Sequence, residues 1–395
     1  MQLRIITKAI TTLVSLLAIA LVCSAQTAKT SAVNLHMVTD EAEAVLQILA
    51  KRSTKTPVTD ADWTKVFSSE GYVRLKQRET GLKRSFEDDE FKTFVLSPEL
   101  LQRAKALEET LERWKRADIV RVADRALAYL PKNARINAKI YPVIKPRENS
   151  FVFGLPDDPA IFLYLNPATG KEKFENTVAH ELHHIGYGSS CPSKQVSDEI
   201  AKLPPEAQTV LNWIGAFGEG FAMLAAAGGP DVHPHAVSDA DERARWDKDI
   251  ANFNQDLKKV EKFFLDILAK RITESQIRDT AFSFFGVQGP WYTVGYKMAV
   301  LIETTYGRDE LIKCMRRRDA ARERAVPGSQ DRRHLPRVLA PLADLHERPH
   351  DGSDHLLAER IGHDLETQQP LPEVVPVRGQ DGADEAAVLH LPTER

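Results

Sequence analysis

Three histidines and a glutamate lie within five consecutive positions of the segment TVAHELHHIGYG, residues 177–188. His180, Glu181 and His184 form the pattern H-E-x-x-H. Residues four apart on a helix lie above one another, so His180 and His184 can present both imidazoles to one metal ion. Glu181 then points beside them, toward a water molecule on that ion. The pattern predicts a zinc site in which Glu181 acts as a general base.

His183 is a second candidate partner for His180, at a spacing of three residues. That ligand pair would lose the arrangement in which an acid next to the first ligand faces the bound water. We therefore expect His183 to orient a ligand or to lie at the surface, and the alternative is that it simply packs beside the helix. A metzincin site requires a glycine and a third histidine where this chain has Tyr187 and Ser190, so that class is excluded.

A catalytic zinc site usually has three protein ligands, so the third must come from elsewhere in the chain. Asp198, Glu199, His233 and His235 are candidates, but they lie in polar segments where solvated side chains are expected. Glu219 lies in the almost uncharged segment GAFGEGFAMLAAAG. Burying such a carboxylate is costly unless it is paired or bound to a cation, so Glu219 is the predicted third ligand. The alternative is a partly exposed acid at the start of a helix.

The elements that must position these residues are predicted to be mostly helical, in an α+β fold. Residues 39–130 have mostly helical spacing. The segments NAKIYPVIKP, SFVFG and AIFLYLNP are short, rich in β-branched and aromatic residues, and bounded by turn residues, which predicts a small sheet. Helical spacing then resumes through the histidine cluster, and this helix is expected to end at Gly186 and Gly188.

The quoted motifs together resemble a known class of enzyme. HELHH followed by GEGFAML is similar to the gluzincin branch of zinc metallopeptidases. The order AIFLYLNP, TVAHELHHIGYG, GEGFA, GPWYTVGYKMA resembles an uncharacterised family of predicted zinc-dependent bacterial peptidases, over roughly residues 35–315. The resemblance implies a Zn²⁺ cofactor, a peptide or protein substrate, and Glu219 as the final ligand. It also implies a zincin-like fold, with a small edge-strand sheet above the active-site helix and a second ligand-bearing helix.

The same resemblance suggests two further roles. Gluzincins often use a later Tyr or His to donate a hydrogen bond to the developing oxyanion, and here Tyr292 or Tyr296 would do so, with Tyr292 favoured. Both tyrosines could instead pack a turn. An edge strand would pair with an extended substrate, through residues 163–166 of AIFLYLNP. The alternative is that this segment forms an interior strand.

The composition of the whole chain limits its partners. The 395 residues carry a formal net charge of −3 and are 43% hydrophobic, as expected of a globular protein. A basic excess interleaved with aromatic residues is missing, so we expect no nucleic-acid partner.

The first 25 residues are predicted to be a signal peptide. Arg4 and Lys8 precede an apolar run over residues 9–22, and a small-x-small cleavage site ends at Ala25. The run is short for a membrane span, so we expect a secreted or periplasmic protein with no stable span after cleavage. Lipidation at Cys23 is the alternative, although Val22 is bulky where a small residue is usual.

The remaining regions are a helical N-terminal region (26–130), a zincin-like core (131–315) and an atypical tail (316–395). The tail has twelve Arg, eight Pro, no Lys and no aromatic residue. This break suggests a flexible extension or a shifted reading frame in the gene, and translating the other frames across codon 315 tests the latter. Cys191 and Cys314 would meet conditions that permit a disulfide after export, but their spacing leaves pairing open.

The sequence thus predicts an exported zinc peptidase in which a zinc-activated water attacks the peptide bond. Two alternatives stay open at this point. One is a zinc-stabilised binding or scaffold protein with a closed four-ligand site. The other is a hydrolase of a non-peptide amide, because the same water activation serves both reactions.

Overall fold

A computed structural model describes residues 32–154, 157–190, 198, 200–286 and 288–314. Helices dominate it and a four-stranded sheet completes it, which confirms the mostly helical α+β class. The strands are β1 (Val33–Met37), β2 (Ile136–Val143), β3 (Phe151–Phe153) and β4 (Ala160–Tyr164). The helices are α1 (Asp40–Ser53), α2 (Asp60–Phe67), α3 (Glu70–Gly81), α4 (Asp88–Val95), α5 (Pro98–Lys115), α6 (Ile119–Leu127), α7 (Lys171–Ser190), α8 (Pro205–Ile214), α9 (Gly218–Ala227), α10 (Ala240–Ala251), α11 (Phe253–Leu268), α12 (Glu274–Ser283) and α13 (Pro290–Tyr306).

The sheet has the strand order β1-β2-β4-β3. Strands β1, β2 and β4 are parallel, and β3 pairs antiparallel with β4 at one edge. Strand β1 comes from the N-terminal region, for which the sequence predicts helices, and it pairs Val33 with Ile136 of β2. The helical N-terminal region therefore contributes a strand to the sheet that precedes the active-site helix.

The expectation of an exposed edge strand at residues 163–166 is wrong, because β4 is an interior strand. It pairs with β2 on one side, Leu163 opposite Pro142, and with β3 on the other, Phe162 opposite Phe151. All five of its residues are buried. A continuous apolar run such as AIFLY suits a strand covered on both faces, as parallel sheets usually are.

Helix α7 lies against this sheet through its apolar side. Phe174, Val178, Leu182 and Ile185 are buried in one core cluster with residues of β2 and β4. The helix does not stop at Gly186 and Gly188 as expected but continues to Ser190. Close packing accounts for one of these glycines: a Cβ on Gly186 would lie 2.4 Å from Leu130 Cδ1.

A second helical layer holds the GEGFAML segment. Residues 205–227 form α8, a short 3₁₀ turn at Gly215–Phe217 and then α9, which ends at Gly228 with a left-handed φ of 89°. Within the described residues this stretch, Pro205–Ala227, is the one long and apolar enough to cross a membrane. Half of its apolar window is buried, and it packs against α7 and α13, as a core helix does.

Helices α9 and α13 approach each other through two glycines. A Cβ on Gly220 would lie 1.9 Å from the backbone nitrogen of Tyr296. A Cβ on Gly295 would lie 2.5 Å from the carbonyl oxygen of Phe217. Neither position has room for any side chain, so this pair of glycines sets the distance between the two helices.

Candidate metal centre

Helices α7 and α9 bring the three predicted ligands together. His180 Nε2 lies 3.1 Å from Glu219 Oε2, and His184 Nε2 lies 3.1 Å from His180 Nε2. His184 Nε2 is 3.4 Å from the same Glu219 oxygen. Among the described residues these three form a group of metal-type ligand atoms, and no fourth His, Cys, Asp or Glu joins it.

The spacing of these atoms fits a zinc ion. A tetrahedral ion with bonds of about 2.0–2.1 Å places its ligand atoms about 3.3–3.4 Å apart. The three distances in the structure lie between 3.1 and 3.4 Å. The donor set of two imidazoles and a carboxylate also suits zinc, and three protein ligands leave a fourth position for water.

The charges of the three ligands are strongly coupled in the metal-free state. Glu219 is only 3% exposed. Burial alone would raise the pKa of its carboxyl, but the adjacent His184 and His180 imidazoles lower it overall. Burial likewise opposes the charged form of His184, but the Glu219 carboxylate outweighs it and raises the pKa of His184 to about 9. The Glu219 carboxylate thus favours a positive charge at His184, next to the place where the sequence predicts a metal cation.

Glu181 lies beside the ligands without joining them. It is 8% exposed, and its Oε2 atom has no hydrogen-bond partner within the described part of the chain. Burial raises the pKa of its carboxyl above the ordinary value, and the neighbouring histidines oppose that rise. A buried carboxylate oxygen without a partner is costly, so it fits a site where a water molecule completes its hydrogen bonding.

The structure places the two candidate tyrosines of α13 differently. The Tyr292 ring is stacked on His180, with 6.5 Å between ring centroids. Tyr296 points away: its ring packs on Trp246, and its hydroxyl donates to the Val232 carbonyl over 3.5 Å. Burial raises the pKa of Tyr296 to about 12. Tyr292 is therefore the tyrosine that borders the metal group.

A cleft of about 170 Å³ opens beside His180 and Tyr292. Its other polar lining residues are Asn176, Thr177, His235 and Gln288. The histidine pattern could have indicated the first two, because they precede His180 by four and three residues and so share its helix face. No comparable sequence pattern indicates that Gln288 lines the cleft, apart from its place in the Gly-rich segment before Tyr292.

A comparison with protein-family models identifies the family. The model described as "putative zinc dependent peptidase" (DUF5700) matches residues 63–320, more than half of the chain. The chain belongs to this family. The match ends close to the composition break at residue 316, as the resemblance in the sequence suggested. Searches of curated proteins and of solved structures gave no match.

His183 is buried next to the ligand His184, with 6.3 Å between the two ring centroids. It is 2% exposed, and burial lowers its pKa to about 3, so the ring is neutral. The Tyr129 backbone approaches the ring, but neither ring nitrogen makes a hydrogen bond of standard geometry with the described residues. His183 lies outside the group of ligand atoms, and it packs in the interior rather than at the surface.

The other candidate donors that the structure describes, Asp198, His233 and His235, are not part of the metal group. His233 Nε2 contacts Asp247 at 2.9 Å, and His235 contacts Ser238. Asp198 is exposed. Glu199 lies outside the described residues, so that candidate stays untested.

Several predictions concern segments that the structure does not describe. The signal peptide with Cys23, the tail after residue 315, and Cys191 all lie outside the described residues. Cys314 is described and is half-buried. Export, the origin of the tail and the disulfide therefore stay predictions.

Proposed function

We propose that this chain is an exported zinc-dependent peptidase in which Glu181 is the general base. The observation that carries the proposal is the arrangement at the centre: three buried ligand atoms 3.1–3.4 Å apart, with the partnerless Glu181 oxygen beside them. Three ligands suit an open catalytic site better than a closed structural one. Membership of a family described as zinc-dependent peptidases supports the same reaction.

His180, His184 and Glu219 would hold the ion. When bound, zinc supplies Lewis-acid chemistry, which lowers the pKa of a water molecule and polarises the scissile carbonyl. Glu181 accepts the proton of that water on its Oε2 atom and then gives it to the leaving amine. Because burial already raises the pKa of this carboxyl, Glu181 is better matched to both steps than an exposed glutamate would be.

Tyr292 would take the second catalytic role. It lines the cleft beside His180, so its hydroxyl can donate a hydrogen bond to the carbonyl oxygen as negative charge develops there. Tyr296 is less suited because its hydroxyl faces Val232. Export rests on the predicted signal peptide, and a secreted or periplasmic location follows from it.

The decisive variant is Glu181→Gln, which keeps the shape of the side chain but removes the base. It should retain one zinc per chain and lose peptide hydrolysis by at least about 10²-fold. Glu172→Gln is the matched control, because Glu172 is exposed on the same helix. Zinc content and cleavage of a peptide library are measured on both. Full activity in Glu181→Gln would refute its role as the base.

A further inference from the structure

The lining of the cleft beside the metal group combines the apolar residues Met223, Ala226 and Pro234 with polar residues. Within the described part of the chain, none of its lining residues is Asp, Glu, Lys or Arg. The polar members are Asn176 and Thr177 from α7, Tyr292 from α13, and the loop residues His235 and Gln288. Away from the metal group at His180, this lining offers no counter-charge to a charged substrate group, so burying such a group there is costly.

Gln288 is held in an uncommon backbone conformation at the edge of this cleft. Its φ is 60°, in the left-handed region that few residues other than glycine adopt. It lies between α12 and α13, two residues before Pro290, where α13, the helix that carries Tyr292, begins. Such strain persists where surrounding contacts enforce it, and it is concentrated at functional sites.

His235 fixes the orientation of the Gln288 amide. Gln288 Nε2 lies 2.6 Å from His235 Nε2, and His235 Nδ1 lies 3.0 Å from Ser238 Oγ. Burial lowers the pKa of His235 to about 4, so its ring is neutral and has one donor and one acceptor. The amide N–H of Gln288 donates to His235 Nε2, and Nδ1–H of His235 donates to the Ser238 hydroxyl.

This arrangement leaves the amide oxygen of Gln288 as an acceptor. The Oε1 atom is buried and has no hydrogen-bond partner among the described residues. An unsatisfied buried acceptor lowers stability unless another group donates to it. The donor that fits an uncharged cleft is itself neutral, such as a side-chain amide N–H.

We propose that Gln288 is a specificity-determining residue that accepts a hydrogen bond from a neutral donor on the substrate. The substrate class is peptides with an uncharged, hydrogen-bond-donating side chain beside the scissile bond, of which asparagine is the type. This inference rests on the proposed peptidase function. His235 is a positioning residue for the Gln288 amide.

The test uses the zinc-loaded chain and peptides that differ at one residue, placed in turn on each side of the scissile bond. That residue is Asn, Ala, Asp or Lys. The parent chain should cleave the Asn peptide with a kcat/KM about tenfold above the Ala peptide, and the Asp and Lys peptides more slowly than either. Equal kcat/KM values for Asn and Ala on both sides of the bond would overturn the inference.

Two variants separate recognition from structure. Gln288→Leu should reduce the Asn-to-Ala ratio of kcat/KM to near one. Gln288→Glu should shift the preference toward Lys, because a carboxylate there accepts from an ammonium group, a change that a merely structural role would not produce. Gln255→Glu makes the same substitution at an exposed position of α11 and should keep the parent's preference. Zinc content is measured in every variant, and an unchanged preference in Gln288→Glu would overturn the inference.

Failure of the peptidase function itself gives a different result. A parent chain that cleaves no peptide would refute that function and leave recognition to be measured by binding. Calorimetry of the Asn and Ala peptides with the zinc-loaded Glu181→Gln chain then decides. Tighter binding of the Asn peptide, lost in the double variant with Gln288→Leu, supports the inference. Equal binding of both peptides, or binding of neither, overturns it.

Discussion

The contact between α9 and α13 gives a sharp test of how the fold positions the metal site. Gly220 follows the ligand Glu219 directly, and a Cβ at this position would lie 1.9 Å from the Tyr296 backbone nitrogen. It would also lie 2.3 Å from the Gly295 carbonyl carbon. Both atoms belong to the backbone of α13, so no side chain can rotate away to relieve the clash. Gly220→Ala must therefore move one helix relative to the other.

The size of that movement follows from the contact distance. Real Cβ atoms essentially never approach closer than 3.0 Å, so the helices must separate by at least about 1.1 Å. Overpacking of this kind costs about 1–3 kcal/mol or more of unfolding free energy. The shift also moves Glu219 on α9 relative to Tyr292 on α13, and a displacement of about 1 Å at a catalytic site can cost about 10²-fold in rate.

Gly218→Ala is the matched control two residues earlier in the same helix. A Cβ on Gly218 meets no atom within 4 Å, so the substitution should stabilise the protein slightly, by about 0.4–1 kcal/mol. Urea unfolding, zinc affinity and peptide hydrolysis are measured on both variants. If Gly220→Ala matched Gly218→Ala in all three measurements, the role given to this helix contact would be wrong.

Three further predictions concern the ligands and the helix that carries the histidines. Loss of a residue that only orients a metal ligand typically weakens metal binding by roughly 10–100-fold. Glu219→Gln removes a ligand itself, so it should weaken zinc binding by more than that, measured by competition with a chelator. An unchanged zinc affinity would rule Glu219 out as a ligand. Zinc must displace the proton of His184, whose pKa is about 9 in the metal-free state, so the apparent affinity should fall about tenfold per pH unit below pH 9. Calorimetry in buffers of different ionisation enthalpy measures that proton, and a pH-independent affinity would contradict it. Gly186→Ala should have a lower unfolding free energy than Gly188→Ala, because its Cβ would lie 2.4 Å from Leu130 Cδ1 and force that buried side chain to shift, whereas a Cβ on Gly188 meets no atom within 4 Å. Equal urea midpoints for the two variants would contradict the packing argument.

The three metal ligands could be predicted from the sequence because the two patterns that indicate them each involve only neighbouring residues. The i, i+4 spacing of His180 and His184 is a property of any helix, whatever packs around it. Glu219 is conspicuous as a lone charge in an apolar segment, and its burial at 3% exposure agrees with that reasoning. Both signals depend on only a few neighbouring residues.

The errors concern features that depend on distant contacts. An apolar strand such as β4 has the same composition at the edge of a sheet or in its interior, and the pairing with β3 decides between them. Glycine commonly ends a helix, but in α7 Gly186 serves close packing against Leu130, which lies 56 positions earlier. The orientation of Gln288 depends on His235, 53 positions away, so the sequence of its own loop could not indicate it.

The most direct test of the central claim is a zinc titration of peptide hydrolysis. The full chain is stripped of metal with a chelator, and zinc is returned in steps while cleavage of a peptide library is followed. We expect no cleavage without zinc and a linear recovery that ends at one zinc per chain, with no recovery in Glu181→Gln. A chain that binds one zinc at His180, His184 and Glu219 and still cleaves no peptide would contradict the claim.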